Sequence, residues 1–311
     1  MTHAVDTRTR RRLRVYQVDA FTTELFAGNP AGVVADADSL RGEEMQQIAR
    51  ELNCSETAFL LAPTSDDHDV WVRYFTPTTE VPICGHATIA AHYVRALDKD
   101  LSLPTTVTSR TGAGLLEVGV HRTADDDLEI AMRQGAPSFA APLPTEAQDQ
   151  LLRALGIERS ELDERCPPPQ VVSTGHSKVI VALRTVATID ALTPDLGALA
   201  ALSELLECNG YFVFTQTLGE SLHTYGRMFA PAIGIPEDPV TGNANGPLGA
   251  YLVEHGLAAT SRNRLEFIAR QGDALGRPGS MRVVVEARDG HPTSVTVIGR
   301  AIVVFSTTIT L

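Results

Sequence analysis

The chain has 311 residues, of which 43% are hydrophobic and 21% charged, and a formal net charge of −12. That length suits two domains of roughly 150 residues each, with a core large enough to need no disulfide or metal staple. The acidic balance argues against general attraction to nucleic acid or membrane surfaces, and no apolar run approaches the roughly 18 residues a membrane span requires.

In chain order, Arg8, Arg10, Arg11, Arg12 and Arg14 cluster at the start with no apolar run behind them. Residues 1–12 are therefore expected to form a frayed basic tail rather than a signal peptide. Leu13 to Ala20 alternates as a strand does. Gly28, Asn29 and Pro30 predict a turn, and Ala31 to Ala35 the next strand. Glu43 to Leu52 has helical spacing, with Met45, Ile48, Ala49 and Leu52 on one face. Glu56–Leu61 and Val70–Phe75 read as strands, and Ala87 to Leu97 as a helix apolar on all sides, hence buried. Thr105–Ser109 and Leu115–Val120 complete a β-rich first half. Asp125, Asp126 and Asp127 predict a solvated turn near the midpoint, and Pro142–Pro144 and Pro167–Pro169 predict loops. Cys54, Cys84, Cys166 and Cys208 are too widely spaced for a zinc motif or a disulfide framework, which predicts reduced thiols and a cytoplasmic location.

The chain also repeats itself. Arg73-Tyr74-Phe75-Thr76-Pro77 recurs as Arg227-Met228-Phe229-Ala230-Pro231, an offset of 227 − 73 = 154. Each copy leads to a Gly-containing turn and then an apolar helix: Cys84-Gly85-His86-Ala87 in the first half, Thr241-Gly242-Asn243-Ala244 in the second. Arg110-Thr111-Gly112 and Arg270-Gln271-Gly272 match more loosely. The expectation is an α+β protein of two similar halves, each β-rich and wrapped around a buried helix. Two helix N-termini facing one cleft would offer unpaired N–H groups and positive dipole ends, holding a carboxylate without Lys or Arg.

Three segments carry candidate chemistry. Glu56 stands where a helix gives way to an apolar strand; a carboxyl removed from water there is suited to taking a proton from carbon, or it simply closes the helix end. Gly85 permits close backbone approach, His86 can donate to substrate or relay a proton, and Ala87 continues the amide row. Cys84 is either a thiolate base at a helix start or a small buried filler. In the second half Asp238 can accept from a substrate amine or hydroxyl, or cap its turn, and Gly242, Asn243 and Ala244 form the matching amide row. His176 and His223 read as surface or structural residues. Dinucleotide, P-loop, zinc-protease and serine-hydrolase motifs are absent from the sequence.

The ordered set Val18-Asp19-Ala20-Phe21, Gly28-Asn29-Pro30, Asn53-Cys54-Ser55-Glu56-Thr57, Cys84-Gly85-His86-Ala87-Thr88 and Glu237-Asp238-Pro239-Val240-Thr241-Gly242 resembles the phenazine biosynthesis PhzF-like family. The resemblance implies a diaminopimelate epimerase-like fold, with two pseudo-symmetric halves that are each a β-barrel-like sheet around a central helix. It implies a C-terminal strand returning to the first half, which sets the halves at 13–124 with 297–311 and at 125–296, a homodimer, no cofactor or metal, and a small carboxylate as substrate. The family's catalytic glutamate falls on Glu56, its histidine on His86 and its active-site aspartate on Asp238. A family serine is replaced by Asn243. The family's characterised member isomerises trans-2,3-dihydro-3-hydroxyanthranilate. Epimerases related to it use one cysteine at each helix start, whereas this chain has Cys84 alone. The expected activity is thus a single-base isomerase. Alternatives are an amino-acid racemase using Cys84 and a non-catalytic protein that binds small acids.

Overall fold

The computed structural model describes residues 10–99, 101–218 and 222–311. Residues 1–9 of the expected basic tail lie outside the described residues. Arg11 and Arg12 belong to the fold: Arg11 exchanges backbone hydrogen bonds with Leu311, its guanidinium pairs with Glu44, and Arg12 opens the first strand.

The first half runs β1 (Arg12–Ala20), β2 (Asn29–Val34), α1 (Gly42–Leu52), β3 (Glu56–Leu61), β4 (Val70–Phe75), the short β5 (Glu80–Val81), α2 (Gly85–Asp98), β6 (Thr105–Thr111), β7 (Gly114–Arg122) and β8 (Leu128–Arg133). Then come β9 (Ser138–Pro142) and α3 (Thr145–Leu155). The second half runs β10 (Gln170–Ser173), β11 (Ser177–Ala182), α4 (Val186–Asp190), α5 (Leu196–Leu206), β12 (Tyr211–Leu218), β13 (Leu222–Ala230) and β14 (Ile235–Asp238). It continues through α6 (Gly242–Glu254), β15 (Arg264–Gln271), β16 (Gly279–Arg288) and β17 (His291–Gly299), and β18 (Ala301–Thr310) ends the chain.

Strand pairing repeats as closely as strand order. In the first half β1–β2, β3–β4, β6–β7 and β7–β8 are antiparallel, while β2–β3 and β4–β6 are parallel. The second half has the same pattern in β10–β11, β12–β13, β15–β16 and β16–β17, with β11–β12 and β13–β15 parallel. Register repeats too. Phe59 lies opposite Arg73 and Val213 opposite Arg227, each residue displaced by 154 from its counterpart (213 − 59 and 227 − 73). The chain exchanges one strand each way: β18 pairs with β1, and β9 pairs with β10. The ladders meet where β8 pairs with β17. Within each half, pairing runs on to Met132 in the first and Ile298 in the second, past the expected boundaries at 124 and 296.

Helices α2 and α6 are buried along nearly their whole length, α2 taking His86, Thr88, His92 and Arg95 inside together with its apolar residues. Both contribute to one inner core, with Ile89, Ala90 and Val94 from α2 and Leu248, Tyr251 and Leu252 from α6. Amphipathic α1 closes the outer face of the first half through Met45, Ile48 and Ala49 against Phe59 and Phe75. Helices α3 and α5 do the same for the second half, packing Leu151, Leu155, Leu199 and Leu202 over Val179 and Val181. Strand alternation then fixes which residues look inward. On β3, Ala58 and Leu60 join the inner core and Phe59 the outer, so Glu56 shares the inward face. On β11, Ile180 and Ala182 face inward and Val179 and Val181 outward, so Lys178 also faces inward.

Two turn expectations are corrected. Asn29 and Pro30 belong to β2, opposite Ala20 and Asp19, and the reversal lies earlier, where Phe21 and Phe26 have φ of +65° and +67°. Gly28 is required here: its φ is +61° and a Cβ would stand 2.2 Å from the Ala20 carbonyl. Pro142 ends β9 rather than lying in a loop, which a missing N–H allows at a strand terminus.

Candidate active site

Two turns of like construction aim α2 and α6 at the same point. Cys84 and Thr241 precede the helices in extended conformation. In each helix the side chain of the fourth residue bonds back to the carbonyl of that preceding residue: Thr88 Oγ1 to Cys84 O at 2.7 Å, Asn245 Nδ2 to Thr241 O at 3.0 Å. Tyr74 Oη, 2.7 Å from Thr88 Oγ1, supports the first turn. Gln271 supports the second: it accepts from the Thr241 amide at 3.0 Å and donates to the Asp238 carbonyl at 2.7 Å. Gln134 donates to the Gly242 carbonyl at 3.0 Å. The first amides of each helix have no carbonyl one turn back to bond, and Gly85, His86, Gly242 and Asn243 line the space between the two helix ends.

Neither Gly85 nor Gly242 is demanded by a close contact within the protein. A Cβ on Gly85 would stand 3.4 Å from Met132 and 3.9 Å from Asn243 Oδ1, and one on Gly242 would meet nothing closer than 3.6 Å. The two helix ends thus face each other, and the bare glycines keep their amides open to a bound molecule. Ala87 and Ala244 do not line the cleft. Their side chains are fully buried, the Ala87 amide points at the Cys84 sulfur, and the Ala244 amide bonds Thr241 O at 3.2 Å. They serve the turns from behind.

Glu56 and His86 meet between these ends, with Glu56 Oε2 3.3 Å from His86 Nε2. Ser55 Oγ lies 3.2 Å from the same nitrogen, and Cys84 Sγ lies 3.4 Å from His86 Nδ1. Asp238 enters from the second half, accepting from Asn29 Nδ2 at 2.9 Å and from the Thr241 hydroxyl. Burial pushes Asp238 above the usual carboxylate range, against the opposing pull of His86, Thr241 and Asn29. A thiolate at Cys84 is not supported. Burial and then the Glu56 carboxylate push that thiol well above its ordinary value, outweighing the Ala87 amide that pulls it down.

The cleft has a cationic side that the sequence reading missed. Lys178, His176 and Asn209 line it together with Glu56, Cys84, Gly85, His86, Asp238, Gly242 and Asn243, around a cavity of about 210 Å³. A lysine thus stands in a cleft expected to hold an acid without Lys or Arg, and His176, read as a surface or structural residue, lines it as well. Ser55 and Thr241, both within the motif segments, join the site through His86 and Asp238 respectively. A larger cavity of about 680 Å³, lined by Phe21, Arg270 and Arg282 among others, contains none of the expected site residues. Chemistry rather than volume selects the site.

Glu56, Cys84 and His86 place one donor atom each within 4.8 Å of one another, and these are donor types that zinc accepts. A thiol held protonated opposes metal binding, since the metal takes the thiolate.

A duplicated α+β fold whose two central helices start at one cleft is the diaminopimelate epimerase-like fold, and a hydroxyproline epimerase from Agrobacterium vitis shares it (TM-score 0.61, 13% identity, 97% of this chain and 93% of that one). Within that fold class, the chain belongs to the phenazine biosynthesis-like protein family PhzC-PhzF, whose model matches residues 18–307. It is 51% identical over 302 residues to a Clostridium acetobutylicum protein named as an uncharacterized isomerase, covering 97% of this chain and 99% of that protein. It is 33% identical to trans-2,3-dihydro-3-hydroxyanthranilate isomerase of Pseudomonas aeruginosa, covering 92% and 95%. A PhzF-family phenazine biosynthesis protein from Bacillus anthracis superposes with a TM-score of 0.85 at 31% identity, covering 96% and 99%. The chain is accordingly an isomerase of this family.

Proposed function

We propose that this isomerase moves a proton between carbons of a small unsaturated or cyclic carboxylate, with Glu56 as the single base. The observation that carries the reading is the Glu56 carboxylate set 3.3 Å from His86 in a cavity between two helix N-termini. A substrate carboxylate bonded by the amides of Gly85, His86, Gly242 and Asn243 would bring an adjacent carbon to Glu56. The carboxylate takes a proton as the C–H bond breaks, and the electron pair spreads into the conjugated acid. The helix-end amides stabilise the charge that develops. Glu56 then returns the proton to another carbon on the same face, with His86 and Asp238 positioning the polar groups. Bonds broken and formed balance, with no change of oxidation state.

An epimerase using Cys84 is disfavoured by two features. Inversion needs a base on each face of the carbon; the matching turn offers Thr241, and the Cys84 thiol is held protonated. The test is proton NMR in D₂O with trans-2,3-dihydro-3-hydroxyanthranilate and a panel of small unsaturated acids. Wild-type protein should transfer deuterium to one of the ligand's carbons, and Glu56→Gln should lose about 10³-fold of that rate with an unchanged circular dichroism spectrum. A Glu56→Gln protein with undiminished exchange would remove Glu56 as the base.

A further inference from the structure

We infer that Lys178, flanked by His176 and Asn209, is a second anion-recognition point in the cleft, so that the substrate is a diacid or an acid bearing a second anionic group. The inference rests on the cleft being the substrate site, and it goes beyond that reading by naming what the far end of the substrate carries.

Three observations converge. First, Lys178 is 3% exposed and on the inward face of β11, yet its ammonium has one hydrogen bond, to the neighbouring Ser177 carbonyl at 3.2 Å. An ammonium has three N–H donors, and burying them unpaired is costly. Second, no carboxylate pairs with it directly, and Asp238 attracts its charge only from beyond pairing range. Among the described residues no carboxylate lies within ion-pairing distance of Lys178, and both oxygens of Asp238 are already engaged by Asn29 and Thr241. Third, the neighbouring His176 has a buried Nε2 without a hydrogen-bond partner, on the wall of the same cavity. A lysine and a histidine with unspent hydrogen-bonding capacity, side by side in a cleft, are arranged for a group that the folded chain does not provide.

The internal duplication sharpens the point. At the offset of 154, Glu56 corresponds to Gly210 (210 − 56), so the second half has no side chain where the first has its base. In the parallel ladders Ala31 pairs with Glu56, and Val179 pairs with Tyr211, which places Lys178 beside Gly210. One half thus presents a carboxylate beside a small alanine, and the other a lysine beside a glycine. The cleft is polarised, with the base at one end and a cation at the other. Burial pushes Lys178 down to about 8, which leaves it mostly protonated at pH 7. Burial and the Lys178 charge push His176 down, so the ring is neutral there and free to donate or accept. A cavity of about 210 Å³ is below the ~300–1,000 Å³ typical of drug-sized ligands, which limits the occupant to a compact metabolite.

The experiment compares matched pairs by isothermal titration calorimetry: isophthalate with benzoate, and glutarate with butyrate. Wild-type protein should bind the diacid of at least one pair ten-fold or more tightly than its monoacid. Lys178→Met and Lys178→Gln should abolish that preference while leaving the monoacid affinity within about two-fold. Equal affinities within both pairs in wild-type protein, undetectable diacid binding included, overturn the inference without needing a variant. So does an equal loss of both affinities in the Lys178 variants. A purely structural lysine would instead show itself as a lower melting temperature in Lys178→Met; release of a poorly paired buried ammonium should raise it. The two readings fail separately. Deuterium transfer by Glu56 without preference for diacids removes only the recognition point, whereas diacid preference without transfer to any ligand removes only the proton chemistry.

Discussion

Cys84 shows how a residue's position and its surroundings can point opposite ways. A thiol at the first turn of a helix is commonly acidified, and the Ala87 amide does pull in that direction. Complete burial and the neighbouring Glu56 and Asp238 carboxylates pull harder the other way. The folded thiol therefore ionises well above the ordinary value of about 8.5, while an unfolded chain releases that proton near it. Above about pH 8.5 the unfolded state binds fewer protons than the native one, so stability falls as pH rises. Wild-type protein should accordingly lose melting temperature faster between pH 8.5 and 10 than Cys84→Ser. In native protein Cys84 should also escape iodoacetamide at pH 8, as read by peptide mass spectrometry. Rapid alkylation, or identical pH slopes, would show a thiolate after all. The same balance explains Asp238, whose burial outweighs three favourable partners.

At the scale of the element, the repeated arginine of the Arg-x-Phe-x-Pro motif is a clamp for the hairpin that leads into each central helix. Arg73 forks onto Glu80 of β5, with bonds of 2.7 and 2.8 Å, and Arg227 onto Glu237 of β14, with both bonds 2.8 Å. The environments differ. Arg227 also donates to the Ile189 and Leu192 carbonyls, and its pair is buried, with side-chain exposures of 9% and 13%; those of Arg73 and Glu80 are 20% and 44%. Removing one member of a buried pair strands the other, at about 3–5 kcal/mol, whereas an exposed pair contributes about 0–1. Arg227→Ala should therefore lower urea stability by about 3 kcal/mol or more and Arg73→Ala by about 1. Equal losses would mean that the clamp acts through something other than burial. Because the hairpin carries Asp238, Arg227→Ala should also reduce turnover more than Arg73→Ala does.

For the whole molecule, the exchanged strands decide cohesion. β18 pairs with β1 from Ala301 opposite Ala20 to Thr310 opposite Arg12, although the two are the ends of the fold. β9 performs the reciprocal service for β10. Across the cleft, Asn29 of the first half bonds Asp238 and Val240 of the second, each at 2.9 Å. A chain ending at Arg300 would leave the β1 edge bare and uncover Leu13 and Val15, both nearly or fully buried. It should lose its cooperative thermal transition by circular dichroism; a sharp melt near the wild-type temperature would mean that the first half closes without its return strand.

Much of this was legible in the chain itself. The strand at Glu56–Leu61, the buried helix after Gly85 and the 154-residue repeat follow from local periodicity and motif spacing, which tertiary contacts did not override. Glu56 was readable because a carboxylate directly before an apolar strand is out of keeping with its surroundings. Lys178 was not, because a lysine at the start of a strand ordinarily faces water, and only the packing of β11 against α6 turns this one inward. The cysteine's ionisation, the seam between β8 and β17 and the meeting of Lys178 and Glu56 around one cavity all depend on residues distant in sequence becoming neighbours. Periodicity and propensity act over a few residues, and so the sequence alone determined the elements, their duplication and the place of Glu56 at the head of its strand. Burial and charge act through space, and so only the tertiary structure decided which groups ionise, which face the cleft and what the cleft can hold.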